Sequence, residues 1–117
     1  MPAALAFLLV AAAGALGGIC RWLLAHIPAP RVGTFAANVA AAGVLGFVIA
    51  APGIWPLVVG TGFAGALSTW STLAKELGGL LKLRAYRACA RYALVTALVG
   101  TAAAFLGLQW GQVAFGG

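Results

Sequence analysis

The sequence predicts an all-α membrane protein of one domain, with four spanning helices of which the third is broken near its middle. Three observations carry that expectation. Of 117 residues, 64% are hydrophobic and only 7% charged, with a mean hydropathy of +1.10, which leaves too little polar surface for a soluble domain. The apolar residues fall into four blocks, about 3–24, 32–51, 54–74 and 91–108. Each is near the ~20 residues that a spanning helix requires. The third block does not stay apolar, because Ser68, Thr69, Ser71 and Thr72 surround Trp70 before any charge is reached.

The first block has no Lys or Arg before Arg21. Without a basic leading region, and with an apolar run too long for a signal peptide, it reads as a retained span. Gly14 and Gly18 form a G-x-x-x-G pair that allows another helix to approach closely. Arg21 and Trp22 close the span, one able to snorkel and the other suited to the interface. Pro28 and Pro30 then forbid a continuous helix, and His26 reads as an interfacial residue. In the second block Asn38 is the only strongly polar side chain. An amide at that depth needs a partner, so Asn38 faces other helices or water; helix glue and pore lining are equally open.

In the third block, Ile54 to Ala64 covers roughly 16 Å at about 1.5 Å per helical residue, about half of a hydrocarbon core. The hydroxyl cluster therefore falls near the bilayer midplane. Backbone at that depth must satisfy its own hydrogen bonds or be buried in protein or a wet cavity. Glycines followed by four hydroxyls thus predict a discontinuous helix beside a solute path. The competing reading is that the hydroxyls bond back to their own helix or join neighbouring ones. Glu76, the only acid, stands beside Lys75 at the membrane edge, and reads as half of a local ion pair or as a helix-positioning group. Arg84, Arg87 and Arg91 recur at helical spacing, which predicts that the fourth helix begins before it enters lipid. Tyr92, Thr96 and Gly100 share one face, as a polar track or as ordinary helix contact. Cys20 and Cys89 read as free thiols, and no metal-ligand spacing occurs.

The net charge is +6, but with no soluble face to carry the bases it is not a nucleic-acid signal. Arg21 and Arg31 flank the first connection, and Lys75, Lys82, Arg84, Arg87 and Arg91 flank the third. The N-terminus, the second connection and the tail carry none. The positive-inside rule places the first and third connections in the cytoplasm and both termini outside. One His, one Glu and two Cys assemble neither a nucleophile with its base nor a metal cluster, so an enzyme is not expected.

Residues 17–22 (G-G-I-C-R-W), 33–38 (G-T-F-A-A-N) and 62–73 (G-F-A-G-A-L-S-T-W-S-T-L), then Glu76, Tyr92 and Thr96, form an ordered set. Together they resemble the small four-span bacterial fluoride channels called Fluc, or CrcB-type proteins, over about residues 17–107. The resemblance implies an antiparallel, dual-topology dimer enclosing two narrow pores, which carries fluoride passively out of the cytoplasm. It implies an anion pathway through Asn38, Trp70, Ser71, Thr72, Leu73, Tyr92 and Thr96, and a central structural sodium ion (Na+) held by the backbone carbonyls of Gly65 and Ser68. Five positions depart from the family pattern. Trp70 and Leu73 stand where two pore phenylalanines are usual, and Ala41, Ala42 and Gly43 replace a glycine, a serine and a phenylalanine. The one-sided charge and the altered pore residues together predict a heterodimer. Its partner in the lipid bilayer is a paralogue inserted the opposite way, or failing that a second copy of this chain. A small multidrug exchanger shares the span count, but such transporters work through a carboxylate in the first helix, where this chain has none. A holin-like or purely structural membrane subunit needs no such ordered polar set.

Overall fold

The computed structural model describes residues 2–116, and among them there is no strand. The helices are α1 (Ala3–Leu24), α2 (Val32–Val48), a π-helical segment (Pro56–Ala64) continued by the single turn α3 (Gly65–Leu67), α4 (Trp70–Lys82) and α5 (Tyr86–Ala114). This is an all-α membrane protein. α1, the composite Pro56–Lys82 and α5 are long and apolar enough to cross a bilayer, and α2 is a shorter apolar helix.

α1 ends where the prolines of the first connection prevent further helix. His26 donates from Nδ1 to the Trp22 carbonyl at 2.8 Å, and its ring meets the Trp22 ring edge-on at 4.3 Å. The residue is therefore a local clamp on the helix end. α2 starts after Arg31, whose φ of 66° is left-handed, and it stops at Val48, short of the expected 51. The chain turns there through Gly53, at φ 63°, a conformation that only glycine adopts without strain. α5 has 29 residues, about 44 Å at 1.5 Å each. It outruns its apolar block at both ends, and its first turn carries Arg87 before any lipid-facing run begins.

Small residues set the packing. A Cβ on Gly17 would collide with the Phe63 carbonyl, and one on Gly46 with the Ala104 carbonyl. Those contacts seat α1 against the π-helical segment and α2 against α5. Gly14 also faces the π-helical segment, 3.6 Å from the Gly62 carbonyl, whereas a Cβ on Gly18 would meet nothing within 4 Å. Within the subunit the close approach thus uses Gly14 and Gly17, and not the Gly14 and Gly18 pair expected from sequence. The core is correspondingly slight: Ala37, Ala41, Ala64 and Leu67, with Cys20, Leu24, Val44 and Phe63 around them. Most large apolar side chains face outward, as they do where lipid is as good a solvent as the interior.

Candidate functional site: the break in the third helix

The third helix breaks at Ser68 and Thr69. Ser68 (φ −71°, ψ 153°) and Thr69 (φ −145°, ψ 108°) are both extended. A continuous helix would give the Thr69 N–H to the Gly65 carbonyl. Here it donates to Asn38 Oδ1 at 2.7 Å, while Asn38 Nδ2 donates to the Thr69 carbonyl at 3.3 Å. One amide from α2 thereby satisfies both backbone groups of the residue where the helix fails. This solves the problem that buried irregular backbone poses in a membrane. The Gly65 carbonyl instead accepts the Ser68 hydroxyl at 3.2 Å.

Beyond the break, Thr69 caps α4. Its Oγ1 accepts the Thr72 N–H at 3.2 Å and donates to Thr72 Oγ1 at 3.0 Å. Thr69 and Thr34 are the buried polar residues, 7% and 8% exposed. Neither was among the site residues expected from sequence. A signal for Thr69 existed, since a threonine directly before a helical run is a preferred N-cap; Thr34 gave none, being one hydroxyl in an apolar helix.

Two cavities flank the break. One, about 200 Å³, runs from Arg21 and Trp22 at the end of α1 to Thr34, Thr69 and Thr72. The other, about 210 Å³, is lined by Asn38, Ala41, Ala42, Gly65 and Ser68 among others. Arg21 thus lines the same space as Thr34, Thr69 and Thr72. Trp70 is 78% exposed, and Ser71 and Thr72 are exposed while Leu73 is half-buried. The start of α4 therefore projects away from the subunit.

Farther along, the Tyr92 hydroxyl donates to Glu76 Oε1 at 2.6 Å. This bond ties α4 to α5. The sequence left a local pair with Lys75 or a positioning role open for Glu76, and the structure gives it the latter. Thr96 Oγ1 is buried and has no hydrogen-bond partner. The structure therefore joins Asn38 to the break and Thr72 to its cap, and pairs Tyr92 with Glu76 as a second polar junction, leaving Thr96 apart. Cys20 and Cys89 are free thiols. Among the described residues no group of three or more His, Cys, Asp and Glu could hold a metal.

Residues 8–108 match the family model described as CrcB-like protein, Camphor Resistance (CrcB). A protein of Corynebacterium diphtheriae named fluoride-specific ion channel FluC 2 is 54% identical over 97 residues, covering 83% of this chain and 92% of its own. One of Rhodococcus jostii with the same name is 39% identical, covering 87% and 95% of the two chains. A protein of Leifsonia xyli named fluoride-specific ion channel FluC 1 is 36% identical, covering 94% and 89%.

Proposed function

The chain belongs to the CrcB-like family, and from that premise we propose that it is a fluoride channel subunit through which fluoride leaves the cytoplasm passively. The observation that carries the reading is the helix break itself. It brings an amide and several hydroxyls to mid-depth in an apolar chain, with one acidic side chain in the whole sequence to repel an anion. Fluoride holds its water tightly, so a path must offer hydrogen-bond donors in series, each weak enough to release the ion.

Donors are available along the proposed pathway. Asn38 Nδ2 carries two hydrogens, and one is committed to the Thr69 carbonyl; the other is free for an anion. Thr72 Oγ1 accepts from Thr69 and so has its own hydrogen to give. Ser71 adds an exposed hydroxyl. Thr96 adds a buried one without a partner, which suits a group that meets a passing ion. Trp70 presents the positive edge of an aromatic ring, which attracts an anion without trapping it. Leu73 has no such edge and contributes only apolar wall. Tyr92 borders the far end of the proposed path, but its hydroxyl hydrogen goes to Glu76, so it adds ring surface and no donor.

A central sodium ion fits the break on the chemistry of its donors. The Gly65 carbonyl has lost its helical N–H, since Thr69 bonds Asn38 instead, and it keeps a lone pair beyond the one that accepts Ser68 Oγ. With the Ser68 carbonyl, it is a neutral hard-oxygen ligand of the kind a monovalent cation takes. When bound, such an ion would neutralise carbonyl dipoles at the break and so stiffen it.

The partner is proposed to be a paralogous chain inserted the opposite way. The occurrence of relatives named FluC 1 and FluC 2 supports a system of more than one chain, and the exposed start of α4 supports a covering subunit. The test is fluoride efflux from loaded liposomes, read with a fluoride electrode after an ionophore relieves the charge. The protein, reconstituted with its paralogue, is expected to empty the vesicles. No efflux from either the single chain or the pair would overturn the assignment.

A further inference from the structure

A cavity of about 260 Å³, bordered by Tyr92 at the end of the proposed pathway, opens where the start of α2 meets the start of α5. Arg31 and Arg91 line it, and Val32, Phe35, Ala88 and Val95 form hydrocarbon wall. Both arginines are exposed. Arg31 takes a left-handed φ of 66°, which residues with a Cβ disfavour, and its guanidinium carbon lies 5.9 Å from the centre of the Tyr92 ring. Against these two cations stands one acidic side chain, Glu76, which shares a neighbouring cavity with Arg31 and already accepts the Tyr92 hydroxyl. The balance is positive, and Arg84 on the adjoining connection and Arg87 in the first turn of α5 add to it.

The chemistry narrows the occupant. A small hydrated anion gains from the guanidiniums but nothing from the aliphatic and aromatic wall. An uncharged acyl chain gains only from the wall. A lipid phosphate carrying its acyl chains gains from both, and it resides at this depth, where an arginine beside a span's end meets the headgroup layer. Guanidinium groups also match phosphate oxygens in pairs, which an ammonium does not. We propose that this cavity binds an anionic membrane phospholipid, with Arg31 and Arg91 on its phosphate and Phe35 and Val95 against the first methylenes of an acyl chain. Lipid seated there ties the first connection to α5 at the point where Arg31 overlies Tyr92.

Native mass spectrometry of the protein released from vesicles of equal phosphatidylglycerol and phosphatidylcholine content reads the proposal directly. The wild-type protein is expected to retain phosphatidylglycerol at least tenfold over phosphatidylcholine. The double variant R31Q/R91Q should lose that preference, while R84Q/R87Q, which removes the same charge from the same end, should keep it. V95W fills the cavity without altering charge and should also lose the lipid, so the proposal stays testable if the double variant fails to assemble. Millimolar inorganic phosphate should leave the lipid in place. Equal retention of both lipids, or equal loss in R84Q/R87Q, would reduce the effect to a diffuse basic surface and overturn the proposal. Displacement by inorganic phosphate would make this a free-anion site instead. Abolished fluoride efflux in R31Q/R91Q with lipid retention unchanged would place the arginines on the ion's path and reject the lipid as well.

Discussion

Asn38 shows why the sequence left two roles open for one side chain. Its carbonyl oxygen accepts the Thr69 N–H and its amide donates to the Thr69 carbonyl, so it is helix glue; one amide hydrogen remains, so an anion can still be met. Asn38→Asp separates these from a neutral change. The carboxylate keeps the bond from the Thr69 N–H but turns an oxygen toward the Thr69 carbonyl. An unsatisfied buried carbonyl costs about 1–3 kcal/mol, and the added negative charge opposes a passing anion. The variant is expected to assemble with lowered thermal stability and at least a roughly tenfold loss of efflux, a barrier increase of about 1.4 kcal/mol. Wild-type efflux would remove Asn38 from the pathway. Thr69→Val should cost about 0.5–2 kcal/mol by removing the cap of α4, with Thr69→Ser close to neutral, as thermal unfolding in detergent would show. Depth alone made Asn38 and the hydroxyl cluster legible, because a polar side chain at mid-membrane always needs a reason. The share of work among Ser68, Thr69, Ser71 and Thr72 was not legible. Which hydroxyl caps and which faces outward depends on the ψ angles of two residues, and apolar periodicity does not encode them.

At the scale of the helices, the apolar blocks located the spans and the glycine-to-hydroxyl transition located the break, but neither set the helix ends. α4 continues to Lys82, past the end of the apolar block, because an amphipathic helix outside lipid needs a covered face and not a long hydrophobic run. Glu76 supplies part of that cover through Tyr92 on α5. Tyr92→Phe should therefore loosen α4 from α5 by about 1–3 kcal/mol, leaving a carboxylate oxygen without its donor. Faster hydrogen exchange in α4 is the measurement, and unchanged protection there would show that the bond does not hold the helices together. The α2–α5 seam depends on backbone approach, so Gly46→Ala, whose Cβ would strike the Ala104 carbonyl, should destabilise the subunit by about 1–3 kcal/mol. Gly18→Ala, whose Cβ meets nothing within 4 Å, should not. A thermal melt of the two variants side by side distinguishes them, and equal melts would dissolve the seam as described.

For the whole molecule, the deciding quantity is how charge is divided between its two ends. Pro30 and Arg31 of the first connection line one cavity with Glu76, Gly79 and Leu80 of α4, and Arg31 overlies Tyr92 on α5, so the first and third connections meet at one end. At the other, Phe47 of α2 packs against Phe115 beyond α5, with ring centres 5.3 Å apart. No Lys or Arg lies between residues 32 and 74 or after Arg91. All seven bases therefore belong to the half with the first and third connections. An antiparallel homodimer needs one sequence to insert both ways, and that requires a slight Lys/Arg bias between the sides; a division of seven to none predicts a single orientation. Trp70, 78% exposed at the break, is open to cover by an oppositely inserted chain. The expected partner is thus a paralogue of opposite bias, and a pair of unlike chains can keep one conducting pore while residues such as Leu73 relax in the other. Reporters fused to each terminus of the chain expressed alone should place both ends outside the cytoplasm in nearly every molecule. Comparable inside and outside populations, or full fluoride efflux from liposomes holding only this chain, would return the protein to a dual-topology homodimer.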